Sequence, residues 1–316
     1  MQYSLLSRFR GGLIGSLVGE RLGSVSQDSV TSSPRVRLTQ LQKGQSYQKL
    51  SAWNQIAICA SKSLIRSGRL DLDDWLLECS KQQQSLFSLK TTASCCEAAL
   101  AVFPITLFFH DNEIKMRQHL LQSALVWLAE SEAAEGVLAF SYAITLALTE
   151  QLEKETLIPQ TIAHLGTFKT PLGKQLEQVQ IMLKRGVGLE QTLRQLRQSF
   201  PPRARLIDIS YTSLAIVFYC FLSTPENFRL CVSRAILAGC QPQMTAALTG
   251  ALAGIYNSSI GIPLNWHRAA TNGCLSDGIV SLSDSLLNVW SGVYQVANEP
   301  PCQHLVVAAP SVIKQG

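Results

Sequence analysis

The sequence is short of charge. Asp, Glu, Lys and Arg make up 16% of its 316 residues and 47% are hydrophobic, against about 25% charged residues in an average soluble domain. Such a composition excludes disorder as a description of the whole chain, and the length suffices for one large or two ordinary domains with a sizeable core. So apolar a chain invites a membrane reading. Within the longest stretch without Asp, Glu, Lys or Arg, the segment from Ala235 to Trp266 is strongly apolar, but it contains Gln241, Pro242, Gln243, Asn257, Ser258, Ser259 and Pro263. A lipid-facing helix would leave these polar groups unsatisfied and break at the prolines. The stretch therefore reads as buried protein core, and no membrane span is expected.

The common catalytic signatures are missing too. There is no P-loop, no G-x-S-x-G and no G-x-G-x-x-G after a strand. His110, His119, His164, His267 and His304 stand alone, without ligand spacing, and read as surface or satisfied histidines. Nine cysteines, at 59, 79, 95, 96, 220, 231, 240, 274 and 302, include no C-x-x-C pair. They read as small core residues in a reducing compartment. The opening MQYSLLSRFRGG shows no apolar h-region before its arginines, so the cytoplasm is the expected location.

The net charge of +5 is carried by the first 50 residues, where Arg8, Arg10, Arg21, Arg35, Arg37, Lys43 and Lys49 face only Glu20 and Asp28. A local basic excess is commonly a solvated face, yet it is also the first place to seek an acidic protein partner. Without aromatic interleaving or a nucleic-acid motif, DNA and RNA binding are not expected.

What is present is helical periodicity. Leu5, Leu6, Phe9, Leu13, Leu17 and Val18 recur at three- and four-residue spacing beside a stripe of Gly12, Gly15, Gly19 and Gly23. Because each glycine costs a helix about 1 kcal/mol, such a stripe implies close approach of another backbone. Residues 55–67 form a second helix stopped by Gly68, and Asp71 or Asp73 caps a third. Further runs fall at 97–109, 114–129, 133–152, 171–184, 189–199, 210–223, 226–238 and 244–257. The acidic pairs Asp73/Asp74 and Glu130/Glu132 sit at expected helix starts, where capping explains them. With strand patterns scarce, the fold expected is all-α, a single domain over residues 1–297. A polar segment, 24–49, reads as a functional or disordered loop, and 298–316 as a partly packed C-terminal tail.

Three segments carry a family resemblance. RFRGGLIGSLVGERLG (8–23) resembles the opening R-x-x-G-x-x-x-G-x-x-x-G-D-A-x-G of the ADP-ribosylglycohydrolase family. SAWNQIAICASKSLIRSG (51–68) stands in the place of that family's T-D-D-T-Q helix. AILAGCQPQMTAALTGALAGIYNSSIGIPLNW (235–266) resembles its G-G-D-T-D-T-x-A-A-x-x-G-A-L-A-G-A-Y-Y-G-x-x-x-I-P-x-x-W. The resemblance implies a single-domain orthogonal multi-helix bundle whose cleft binds two Mg²⁺ ions and cleaves the bond between ADP-ribose and its acceptor.

Carried over residue by residue, the resemblance also implies a dismantled site. The family's Thr-Asp-Asp-Thr falls on Ser51, Ala52, Trp53 and Asn54, and its Asp-Thr-Asp-Thr on Gln241, Pro242, Gln243 and Met244. Its first aspartate becomes Glu20, and a later glutamate becomes Gln27. Paired dications need anionic ligands to offset their repulsion and lost hydration, and the four motif aspartates are gone. No cofactor is expected, with Mg²⁺ required only if the motifs align differently.

The reading is a catalytically inactive relative acting as a binding or regulatory module. Its cleft candidates are Ser51, Trp53, Asn54, Gln55, Gln241 and Gln243, and its ligand would be a protein or an ADP-ribose-like molecule. One alternative is a diverged hydrolase that uses Glu20 with Gln55 or Gln243. A second is a structural subunit of a complex. Trp53 would fill the void left by the ions, stack a base, or lie exposed. The preserved features are Gly/Ala seams, including Ala246, Ala247, Gly250, Ala251, Ala253 and Gly254.

Overall fold

The computed structural model describes residues 3–28, 50–166, 170–198, 205–271 and 276–293. Among these are sixteen α-helices and no strand beyond an isolated bridge between Ala93 and Leu128. The helices run α1 Leu5–Asp28, α2 Ala52–Ser67, α3 Leu72–Gln82, α4 Gln84–Phe87, α5 Cys95–Ala101, α6 Phe103–Phe108, α7 Glu113–Trp127 and α8 Ala134–Leu148. They continue as α9 Leu157–Leu165, α10 Pro171–Lys184, α11 Leu189–Gln198, α12 Leu206–Ser223, α13 Phe228–Ala238, α14 Pro242–Tyr256, α15 Leu264–Thr271 and α16 Ser276–Trp290. The all-α expectation is met.

Several boundaries follow from residues the periodicity already marked. Asp71 caps α3 by accepting from the Asp74 N–H, and Gly68 ends α2 in the left-handed conformation at φ +65°. The run 97–109 is two helices, because Pro104 cannot supply an N–H to a continuous ladder and instead starts α6. Two expectations need correction. The polar segment does not begin at residue 24, since α1 continues to Asp28; residues 29–49 and the tail 298–316 lie outside the described residues. Helices α9, α15 and α16 had no counterpart among the expected runs.

The centre of the fold is the antiparallel pair α1 and α14. A Cβ placed on Gly15 would stand 2.2 Å from the Gly250 carbonyl oxygen, and one on Gly250 2.1 Å from that of Gly15. Gly11 and Gly254 oppose each other in the same way at 2.0 Å, Gly19 meets the Ala246 carbonyl at 1.9 Å, and Gly23 meets that of Pro242 at 2.5 Å. Four-residue spacing puts each set on one helix face. The seam on α1 is thus Gly11/15/19/23, and Gly12 is a correction: it faces the side chains of Ile255 and Phe103.

The uncharged stretch 235–266 is mostly core, as Met244 to Ile255 are buried, although Ile260 and Leu264 stand exposed. Helix α12 is long and apolar enough to cross a membrane by length and composition, and 83% of that window is buried inside the fold. Cys59, Cys79, Cys95, Cys96, Cys220 and Cys231 are free and buried, and Cys240 is free and half-buried. Burial pushes the Cys231 thiol up to about 12, which leaves it an inert core group.

Not every glycine is part of a seam. Gly278 on α16 is exposed, and an added methyl group there would meet nothing within 4 Å. Gly278→Ala should therefore gain up to about 1 kcal/mol of helix propensity. The expected readout is a melting temperature raised by about 2 °C in a thermal scan.

Candidate functional site

The α1/α14 seam carries Glu20 to the place where two helices begin. Glu20 is buried at 1% exposure. Its Oε1 accepts from the Ser51 backbone N–H at 2.7 Å and from Gln243 Nε2 at 3.4 Å, while Oε2 accepts from Asn54 Nδ2. Ser51 is the N-cap of α2, its hydroxyl accepting from the Asn54 N–H at 3.3 Å, and Gln243 lies in the first turn of α14. Ser16, one turn earlier on α1, donates to Asn54 Oδ1 at 3.4 Å. One carboxylate thus ties α1, α2 and α14 together at two helix N-termini, where negative charge is favoured. Burial nonetheless pushes the Glu20 carboxyl up from the ordinary value of 4.5, opposed by the hydrogen bonds from Ser51 and Asn54.

Of the site residues expected from sequence, Ser51, Asn54 and Gln243 converge on Glu20. Gln55 does not: its Nε2 donates to the Leu50 carbonyl at 2.8 Å. Gln241 occupies the N-cap position of α14 in the left-handed conformation, at φ +43°, without a side-chain cap bond, and its buried Oε1 has no hydrogen-bond partner among the described residues. Ala52 opens α2, and Met244 is buried in α14. Gln27 lies in the last turn of α1, with its side chain outside the described residues.

Trp53 is 8% exposed, which removes the exposed reading. It packs edge-on against Trp127 at 6.3 Å between ring centroids, and Trp127 in turn meets Trp75 at 5.6 Å. Ser16, Trp75 and Trp127 had no place in the sequence-based site. Ser16 carried a readable signal, four residues before Glu20 and hence on its helix face. The two tryptophans are brought in by α3 and α7 and carried none.

The donor set does not fit a pair of Mg²⁺ ions. Hard dications want several carboxylate or hydroxyl oxygens in near-octahedral array. Among the described residues Glu20 is the single carboxylate in this network, and both its oxygens already accept from protein donors. An indole and a thioether, Trp53 and Met244, stand at two of the remaining family positions. Among the described residues no group of three or more His, Cys, Asp or Glu side chains is placed to hold a metal.

The basic excess of the first 50 residues is partly internal. Arg8 is buried and paired with Glu150, and Arg10 reaches Asp284 with two hydrogen bonds of 2.7 and 2.6 Å. Burial lowers the Arg8 pKa, whereas the bonds to Asp284 raise that of Arg10. Both cations are held in ion pairs, Arg8 in the interior and Arg10 half-buried. Arg35, Arg37, Lys43 and Lys49 lie outside the described residues.

Comparison with known proteins agrees with the fold. The family model for ADP-ribosylglycohydrolase matches residues 1–295. Among solved structures, a chain described as "ADP-ribosylglycohydrolase-related protein complex" is similar with a TM-score of 0.62 at 17% identity. The alignment covers 90% of this chain and 98% of that one, and at this identity the likeness shows the fold alone. No curated protein sequence matches.

Proposed function

The chain belongs to the ADP-ribosylglycohydrolase family, and from that premise we propose that it is a catalytically inactive member serving as a binding or regulatory module. The observation that supports this reading is the state of Glu20. In place of coordinating an ion, its carboxylate is held by Ser51, Asn54 and Gln243. A dication arriving there would meet the positive ends of three N–H dipoles and would have to strip them from a buried anion. Amide side chains at 241 and 243 bring no net charge to offset that cost. The α1/α14 seam, by contrast, is intact. A fold retained without its metal ligands is one whose remaining use is recognition, by a protein partner or an ADP-ribose-like ligand, and the free cysteines among the described residues suit the cytoplasm.

The test is direct. With Mg²⁺ or Mn²⁺ at millimolar concentration, the protein should show no rise in melting temperature and no release of ADP-ribose from an ADP-ribosylated substrate. Metal-dependent turnover would overturn the proposal. A diverged hydrolase is a separate outcome of the same assay: metal-free turnover abolished by Glu20→Gln would assign chemistry to Glu20.

A further inference from the structure

Helices α2 and α3 pack against each other in opposite directions, and their side-chain contacts advance along the pair turn by turn. Arg66 and Ser63 bond Asp74, Lys62 pairs with Glu78, and the Cys59 thiol donates to the Gln82 amide oxygen at 3.8 Å. Cys79 precedes Gln82 by one turn and shares its side of α3. Its thiol therefore meets that of Cys59, and the two are hydrogen-bonded to each other.

Both thiols are fully buried. Gln82 is exposed, however, and its amide oxygen also accepts from Lys62 Nζ at 3.3 Å. One flexible side chain thus separates the pair from solvent. The bond from Cys79 lowers the Cys59 pKa against the opposing effect of burial, and the same bond, together with burial, raises that of Cys79. The two sulfurs are unequal, with Cys59 the more readily ionised and hence the better nucleophile.

Other cysteines lack this combination. Cys95 and Cys96 are also hydrogen-bonded, but they are neighbours in α5, and adjacent Cα atoms about 3.8 Å apart fall below the span of about 4.4–6.8 Å that a disulfide needs. Cys231 donates to the Thr224 carbonyl at 3.0 Å, and burial is the leading cause that raises both Cys220 and Cys231.

We propose that Cys59 and Cys79 form an oxidation site at which hydrogen peroxide, a small uncharged oxidant, closes a disulfide between α2 and α3. The Cys59 sulfur attacks one peroxide oxygen and the O–O bond breaks. This gives a sulfenic acid at Cys59, while the departing hydroxide takes up the thiol proton as water. The Cys79 sulfur then attacks the Cys59 sulfur, the S–O bond breaks and a second water leaves with the Cys79 proton. Two thiols are oxidised and one peroxide is reduced. This site is independent of the Glu20 network and of the reading based on it.

The test treats the reduced, folded full chain with hydrogen peroxide, blocks the remaining thiols with N-ethylmaleimide in denaturant and maps the tryptic peptides without reduction. Trypsin cuts at Lys62, Arg66 and Arg69, so the disulfide joins two separate peptides. The expected result is that linked pair, removed by dithiothreitol, with Cys59 and Cys79 lost together and at least about tenfold faster than Cys220 and Cys231. Cys79→Ala should leave a sulfenic acid at Cys59 that dimedone traps, and Cys59→Ala should leave Cys79 reduced. The map of the native chain decides the proposal whether or not the variants fold. Cys59 and Cys79 both recovered as N-ethylmaleimide adducts, a linked pair that forms only in denaturant, or loss no faster than that of Cys220 and Cys231 would overturn it.

Discussion

Gly15→Val is expected to yield little or no folded protein, and Gly15→Ala to lose about 3 kcal/mol or more of stability by chemical denaturation. The reason lies in what the added carbon meets. At Gly15 the obstacle is a backbone carbonyl oxygen 2.2 Å away, and the reciprocal contact at Gly250 is 2.1 Å. A backbone oxygen cannot swing aside as a side-chain tip can, so α1 and α14 would have to separate by more than 1 Å.

That separation would open the contacts at Gly11, Gly19 and Gly23 as well, since all four belong to one rigid seam. Overpacking a core costs about 1–3 kcal/mol where side chains relax, and more where a network of close contacts is lost together. Gly12→Ala supplies the contrast. Its methyl would meet Ile255 Cγ1 at 2.8 Å and Phe103 Cζ at 3.0 Å, both side-chain atoms. The shift they require is offset in part by about 1 kcal/mol of helix propensity. A melting temperature for Gly12→Ala as low as that of Gly15→Ala would contradict the seam register.

The contrast between Gly11 and Gly12 also measures what a sequence conveys. A small-residue stripe at roughly helical spacing was visible, and so was the implication of close backbone approach. Which of two adjacent glycines belongs to the stripe was decided by the partner helix, whose own four-residue set of Pro242, Ala246, Gly250 and Gly254 fixes the phase. The site divides along the same line. Ser51, Asn54 and Gln243 could be grouped from a family pattern, because a pattern says which segments share a cleft.

That they turn inward onto Glu20 depends on rotamers and on the α2 N-cap, which periodicity does not encode. Trp53 shows the limit most clearly. Its burial comes from Trp127, 74 positions away in sequence and delivered by α7. Arg8 and Arg10 show the converse error: counted as local excess charge, they are paired with Glu150, just past the end of α8, and with Asp284 on α16.

Replacing Glu20 should give two different outcomes according to what is left behind. Glu20→Ala strands the Ser51 N–H and the Asn54 and Gln243 amides in a buried site. Each unsatisfied buried donor costs about 1–3 kcal/mol, and the lost side chain leaves a cavity in addition. A loss of at least about 3 kcal/mol is expected, with fraying of the α2 N-terminus visible as faster amide exchange at Asn54.

Glu20→Gln keeps the shape and one acceptor oxygen for the Ser51 N–H, and rotation of the Asn54 amide supplies an oxygen for the new NH₂ group. Its effect depends on pH. Burial raises the Glu20 pKa in the folded state above the ordinary value of 4.5, so folding favours the protonated carboxyl. The stabilisation linked to that proton is complete below about pH 4.5 and is lost as pH rises through the folded pKa. Glutamine has no such titration.

The melting temperature of Glu20→Gln minus that of the native protein should therefore increase from pH 4.5 upward and level off once the native carboxyl is ionised. A difference that falls with rising pH would mean that the donors from Ser51, Asn54 and Gln243 outweigh burial and hold the group as a carboxylate of depressed pKa. The same variant tests the displaced metal site, because a carboxylate that cross-links three helices and binds no ion gives this pH profile unchanged in the presence or absence of millimolar Mg²⁺.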